Sequence, residues 1–295
     1  MTKKNAAAVS VGSNAVLTAA KLIVGLACGS VSVISEAAHS AIDLLASVIA
    51  YFAVTAAEKP ADADHRFGHG KFENISGFAE ALLIFLAAAW IIREAVGKFL
   101  HPAPVELPGL AMAVMLVSSI ANWLVSSMLF RVGKREDSMA LVADAWHLRT
   151  DVYTSAGVMA ALAVYWTAAK TFPGYDFRWL DPAAAMAVAL LIIKAAAKLT
   201  RESASGLLDE SLPAEEEKQI TGALISIPGL VGIKTMRTRK AGRTRFIDIE
   251  AVVGAAMSVR DSHAITELMT EKIRALFPET LVNVHVEPDD ENPVP

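Results

Sequence analysis

Twice along this chain an apolar stretch long enough to cross a membrane is broken by the same pattern of polar residues. The first copy runs Glu36-Ala-Ala-His39-Ser-Ala-Ile-Asp43-Leu-Leu-Ala-Ser47, the second Asp144-Ala-Trp-His147-Leu-Arg-Thr-Asp151-Val-Tyr-Thr-Ser155. Both read acid-x-x-His-x-x-x-Asp-x-x-x-Ser. A His and an Asp four residues apart share one face of a helix. Two such helices set face to face bring two imidazoles and two carboxylates to one point, the ligand set of a four-coordinate divalent cation. Hydrogen bonding between helices would be met more cheaply by Ser or Asn, because each ionised Asp at mid-membrane costs ~2.5–3.5 kcal/mol. Two carboxylates and two neutral imidazoles balance one divalent ion, and without it up to two protons restore neutrality. Exchange of metal against protons follows from keeping such a site near neutral in a low dielectric.

Composition supports a membrane chain. Of the 295 residues 54% are hydrophobic, mean hydropathy is +0.43, and the apolar residues are concentrated in the first two thirds. The blocks predict six membrane helices over roughly 6–28, 32–57, 74–98, 107–130, 139–168 and 180–202, each able to span ~30 Å of hydrocarbon. The start, Met-Thr-Lys-Lys-Asn, runs straight into the first block, which is expected to be kept as a helix. A net charge of -4 gives no reason to expect nucleic acid as a partner, and a single cysteine, Cys28, excludes an intrachain disulfide framework and a Cys-rich metal site.

The short loops set an orientation. Lys3, Lys4, Lys59, Arg66, Lys71, Arg131, Lys134, Arg135, Lys198 and Arg201 fall on one side, and Lys98, Lys170 and Arg178 on the other. Both termini are therefore expected in the cytoplasm. The His39/Asp43 pair then lies toward the outer end of its helix and the His147/Asp151 pair toward the inner end of its own, so they meet only if the helices are offset or the bundle is locally hydrated.

After about residue 203 the chain turns polar and acidic. Pro213 suits the first position of a helix reaching Ile227, and Pro228-Gly229 stops it. Residues 230–239 and 244–253 read as strands joined by a Lys240-Ala241-Gly242 turn, 258–276 as an amphipathic helix, and 281–286 as a last strand. The expected organisation is a six-helix membrane domain, 1–208, followed by a small α+β domain of order α-β-β-α-β, 209–295, with its helices on one face of the sheet.

Further polar clusters are candidate sites. The loop after the second helix carries Asp62, His65 and His69 at metal-ligand spacing, with Gly68 and Gly70 to turn the backbone. In the tail, Glu250, His263, His285 and Glu287 are candidates, with His285 and Glu287 on one strand face; His263 taken alone reads as a surface histidine. Glu36 and Asp144, one turn before each His, read as holders of an imidazole N–H or equally as solvated or capping carboxylates. Ser47 and Ser155 read as packing residues, Arg149 as a structural ion-pair partner, and the basic run Arg237, Arg239, Lys240, Arg243 and Arg245 as a solvated hairpin.

Taken together these residues resemble a known family. The stretch Gly25-x-x-x-Gly29-Ser-Val-Ser32, the HxxxD of the second helix, Phe67-Gly-His-Gly-Lys71, Asp144-Ala-Trp-His147-x-x-x-Asp151, and a tail with Arg237-Thr-Arg and Phe246-Ile-Asp-Ile are similar over essentially the whole chain to the cation diffusion facilitators. The resemblance implies a divalent-metal/proton antiporter, not an enzyme, with six membrane helices, a metallochaperone-like cytoplasmic domain and a homodimeric assembly. It implies that His39, Asp43, His147 and Asp151 form the transport site and Asp62, His65 and His69 a loop site. It implies zinc as the usual cargo of an HxxxD pair on both helices, with manganese, iron or cadmium handled by relatives that differ at the first position. Some relatives hold a binuclear tail site built from several histidines; Lys234 and Glu250 stand at two of those places here, leaving His263, His285 and Glu287.

The expectation is an exporter of Zn²⁺ in the inner membrane of a bacterium, driven by inward protons. The tetrahedral nitrogen–oxygen set suits Zn²⁺ better than oxygen-rich octahedral sites do. An exporter of Mn²⁺ or Fe²⁺, and a non-transporting sensor or scaffold, remain as alternatives.

Overall fold

The computed structural model of the protein describes residues 1–28, 31–100, 109–171 and 179–289; some helical side chains, among them those of Glu36 and His39, lie outside the description. The chain divides into two compact units, Met1–Ala204 and Ser205–Pro295.

The first unit is built from α1 (Lys3–Cys28), α2 (Val31–Ala57), α3 (Lys71–Leu100), α4 (Gly109–Arg135), α5 (Met139–Thr171) and α6 (Leu180–Leu207). Among the described residues, four stretches within α1, α3, α4 and α6 are long and apolar enough to cross a membrane, and α2 adds the apolar segment Asp43–Ala57. α5 is interrupted by Asp144, Arg149 and Asp151, yet at 33 residues it is about 50 Å long.

α5 is central to the bundle. One side of it (Ala140, Leu141, Ala145, Leu148) packs with Ala6 and Ala7 of α1, Ala53 and Val54 of α2, and Leu129 and Val132 of α4. The other side, at Ala143, joins Ala81, Ile84 and Ala88 of α3 and Ile192, Ala196 and Leu199 of α6. The alanines let the helix backbones approach closely, which suits association where apolar burial alone supplies little drive. Gly77 serves the same end, since a Cβ there would meet Ser203 Oγ at 2.6 Å and Met139 Cγ at 3.1 Å.

Polar ties fix one end of the bundle. Lys3 Nζ donates to Glu73 Oε1 at 2.7 Å, Arg135 Nη2 to the Met1 carbonyl at 2.7 Å, and Asn74 Nδ2 to the Ser203 carbonyl at 3.3 Å. The starts of α1 and α3 thus lie with the ends of α4 and α6, as an up-and-down bundle requires, and the Asp62–His69 loop joins α2 to α3 at this same end.

The second unit contains α7 (Ala214–Ile225), β1 (Leu230–Ala241), β2 (Thr244–Val253), α8 (Val259–Leu276) and β3 (Thr280–Pro288), the α-β-β-α-β order read from the sequence. The sheet runs β1-β2-β3, with β1 antiparallel to β2 and β3 parallel to β2 across the α8 crossover. Gly242, at φ 59°, takes the left-handed position of the tight β1–β2 turn. Ile220 and Leu224 of α7 and Ile265, Met269 and Ile273 of α8 pack with Ile247, Ile249, Ala251 and Val253 of β2, and Val282, Val284 and Val286 of β3 flank them. The period-two alternation of β2 and β3 therefore points these residues at the helices and Asp248, Glu250, His285 and Glu287 away from them.

The basic hairpin is not simply solvated. Arg245 makes two hydrogen bonds to Glu216, at 2.8 and 3.1 Å, and its guanidinium lies 4.7 Å from the centre of the Phe277 ring. Arg239 sits 4.8 Å from the Phe246 ring centre and pairs with Asp209 at 3.3 Å. Arginine stems and planar heads cover apolar surface while their charges are paired.

Candidate metal centre

α2 and α5 meet at the polar faces of the repeated pattern. His147 Nε2 lies 3.2 Å from Asp43 Oδ1, and Asp43, His147 and Asp151 each offer a ligand atom within 4.8 Å of the others. Asp43 and His147 are each 5% exposed and nearly out of solvent, while Asp151 is half-buried. The Nδ1 of His147 is buried with no hydrogen-bond partner. His39 lies one helical turn before Asp43 on α2, but its side chain lies outside the described residues.

No offset between the helices is needed. Asp43 lies about four turns before the end of α2 and Asp151 just over three turns after the start of α5, at the same end of the bundle, so the two carboxylates are nearly level.

Below this cluster runs a chain of hydrogen bonds that the sequence reading missed. Asn14 Nδ2 donates to Ser47 Oγ at 2.6 Å, Ser10 Oγ lies 3.1 Å from Ser47 Oγ, and Ser47 Oγ donates to Asp144 Oδ1 at 2.9 Å. Ser47 is therefore the hub of a buried polar network linking α1, α2 and α5, not a packing residue. Asp144 accepts from that hydroxyl, and no imidazole N–H is among its described hydrogen bonds. Nearer the cluster, Lys21 Nζ of α1 donates to Ser40 Oγ at 2.7 Å. Glu80 of α3, also missed, is fully buried; a lone acid in the middle of an apolar helix was the available signal.

Among the described residues Arg149 has no carboxylate partner. Its guanidinium stacks 3.8 Å from the centre of the Trp123 ring and donates to Ser126 Oγ at 3.2 Å and Ser127 Oγ at 2.9 Å. Cation–π contact and hydroxyls hold the charge where an anion was expected.

The α2–α3 loop gathers its own group. Asp62, His65 and His69 offer ligand atoms within 4.8 Å of one another. The Asp62 carboxylate accepts the backbone N–H of His65 at 2.7 Å and of Asp64 at 3.0 Å, an Asx turn that folds the histidines back over it. His69 Nε2 lies 3.4 Å from Asp62 Oδ2, and His65 Nδ1 3.6 Å from Oδ1. The N–H of His65 holds the Asp62 carboxyl below its ordinary value of 3.8. Gly68, at φ 82°, makes the left-handed turn between the two histidines.

The tail candidates do not gather. His263 is exposed on α8 and lies 3.9 Å from Glu267, whereas His285 faces away from the helices on β3. The sheet itself separates the two. His285 Nε2 is 3.9 Å from Glu287 Oε1, but the other carboxylate oxygen of Glu287 accepts from Lys234 Nζ at 2.6 Å. The ammonium of Lys234 holds the Glu287 carboxyl below its ordinary 4.5, and Glu287 in turn raises Lys234 above 10.5. A lysine cation thus stands where a metal would need the carboxylate. Glu250 pairs with His285 across the β2–β3 ladder.

A helical membrane bundle with a buried imidazole–carboxylate cluster, carrying a small α+β tail, defines a class of cation-handling membrane proteins. The sequence model of the cation efflux transmembrane domain matches residues 7–208, and that of the cation efflux protein cytoplasmic domain matches residues 212–289. The chain is 33% identical over 283 residues to an uncharacterized transporter of Synechocystis sp., covering 96% of this chain and 89% of that protein. It is 30% identical over 260 residues to the cation-efflux pump FieF of Yersinia pestis, covering 88% of this chain and 84% of the pump. Among solved structures, the zinc form of a putative zinc transporter, CzrB, is 30% identical, covering 29% of this chain and 99% of that chain, with a TM-score of 0.27. The chain belongs to the cation efflux family, the cation diffusion facilitators. It is a membrane transporter of divalent metal cations and not an enzyme.

Proposed function

We propose that the protein exports Zn²⁺ from the cytoplasm in exchange for protons, through a site made by His39, Asp43, His147 and Asp151. The observation that carries this reading is the approach of His147 to Asp43 at 3.2 Å, both buried, with half-buried Asp151 in the same group. Two imidazoles and two carboxylates are a ligand set that suits tetrahedral Zn²⁺. The same four groups can carry protons when the metal leaves, so the cargo and the driving ion compete for one set of atoms. Alternating access follows if α2 and α5 rock against their neighbours and open the site to each side in turn.

The loop group Asp62, His65 and His69 is a second metal site on this reading, at the end of the bundle where metal enters. Both termini and the tail domain face the cytoplasm and the bundle lies in the inner membrane, as the loop charges argue. The chain acts as a homodimer joined through residues 209–295, with residues 1–208 as the membrane domain. The tail trio His263, His285 and Glu287 has no supporting geometry, and regulation by metal at the tail is not part of this proposal.

Selectivity is tested by competing Zn²⁺, Mn²⁺, Fe²⁺ and Cd²⁺ for uptake into inside-out proteoliposomes. Zn²⁺ uptake should be suppressed by Cd²⁺ and little affected by Mn²⁺, because imidazole nitrogens favour the softer ions. Preferred uptake of Mn²⁺ or Fe²⁺ would reassign the cargo while leaving the site in place.

A further inference from the structure

Outside the Asp43, His147 and Asp151 group the bundle buries two more carboxylates. Glu80 on α3 and Asp144 on α5 are both 0% exposed. One oxygen of each is satisfied by a hydroxyl, Glu80 Oε1 by Ser76 at 3.2 Å and Asp144 Oδ1 by Ser47 at 2.9 Å. The other oxygen of each, Glu80 Oε2 and Asp144 Oδ2, is buried with no hydrogen-bond partner. Ala81 of α3 and Ala143 of α5 pack in one cluster, and a Cβ at Gly77 would lie 3.1 Å from Met139 Cγ, so the turns of α3 and α5 that carry Glu80 and Asp144 lie side by side. Among the described residues neither acid has a lysine or arginine partner. A buried carboxylate oxygen without a donor is costly, and two at one crossing are a standing demand for a cation.

Their position suggests which cation. Asp144 lies one turn before His147, toward the end of α5 that follows the short turn from α4, and Glu80 lies in the first half of α3. Both sit between the Asp43, His147 and Asp151 cluster and the end of the bundle that carries the Asp62–His69 loop. We propose that Glu80 and Asp144, with the hydroxyls of Ser10, Ser47 and Ser76 around them, form a second station for the divalent cargo on its way from the loop end to the transport site. The inference rests on the transport-site reading above. Two carboxylates neutralise one divalent ion. A station lined only by oxygen holds a borderline-soft ion less tightly than a site with imidazoles, so metal reaching it moves on to the tighter site and is not trapped.

The test uses the full chain in detergent and Mn²⁺ as probe, because oxygen ligands suit it and bound Mn²⁺ is counted by electron paramagnetic resonance. The background carries Asp151→Ala, His65→Ala and His69→Ala, which disable the transport and loop sites. This background should keep about one Mn²⁺ per chain, lose it on adding Glu80→Gln, and keep it with Glu80→Asp. In the otherwise unaltered chain, Glu80→Gln should raise the KM for metal flux about tenfold while kcat changes less than about twofold. A background chain that binds no Mn²⁺, or whose Mn²⁺ is indifferent to Glu80→Gln, overturns the station. Failure of the transport-site reading is seen separately, as flux that survives Asp151→Ala alone.

Discussion

Asp43 and His147 come from sequence positions more than a hundred residues apart and end 3.2 Å from each other. If both ligate the cargo, Asp43→Ala and His147→Ala should each weaken metal binding by more than the ~10–100-fold typical of losing an outer partner of a metal ligand. Titration calorimetry on the purified chain checks this, and a loss within a few-fold would remove that residue from the site. The Lys234–Glu287 pair gives a pH signature in the tail. Glu287 is lowered on folding, so its stabilisation is present above 4.5 and is lost as pH falls through the lower folded value. Lys234 is raised, so its stabilisation is present below 10.5 and is lost as pH rises through the higher folded value. The melting-temperature difference between the wild type and Lys234→Ala should therefore be flat from about pH 5 to 10 and shrink toward either extreme. A difference that changes around neutral pH would mean that another group governs this edge. At this scale the sequence singled out candidate residues but not whom they meet. Ser47 and Arg149 were misread because a hydroxyl and a guanidinium look alike in any apolar helix until the facing helix is known, and that facing is set by packing across the bundle.

Among elements, α5 does most of the positioning, touching α1, α2 and α4 on one side and α3 and α6 on the other. The helices and the tail order were legible because apolar length and the switch from period 3.6 to period 2 are local signals. The sequence also called for an offset between α2 and α5, whereas Asp43 and Asp151 lie at nearly equal depth along their helices and meet without one. Close approach is where single residues control an element. A Cβ at Gly77 would lie 2.6 Å from Ser203 Oγ, where α3 crosses α6, and that oxygen is buried without a hydrogen-bond partner. Gly77→Ala should cost on the order of 1–3 kcal/mol through overpacking. Adding Ser203→Ala should recover most of the loss, because it removes the clashing atom and no hydrogen bond. Thermal melts of the single and double variants decide this; a Gly77→Ala chain as stable as the wild type, or a loss that Ser203→Ala does not relieve, would show that the crossing tolerates a methyl group.

On the proposed reading, the whole molecule couples a cation site in the bundle to a loop site at one end. What the sequence could not give at this scale was the polar path between them, since Glu80, Asp144, Ser10 and Ser47 come from four helices and share no spacing. The most direct test of the molecule's function is Zn²⁺ uptake into inside-out proteoliposomes, measured with and without an imposed proton gradient that is acidic inside, for the wild type and Asp151→Ala. Uptake should saturate with Zn²⁺, rise with the gradient, collapse when the gradient is dissipated, and vanish in the Asp151→Ala chain. Uptake indifferent to the gradient would contradict proton exchange, and uptake that survives Asp151→Ala would contradict the assigned site.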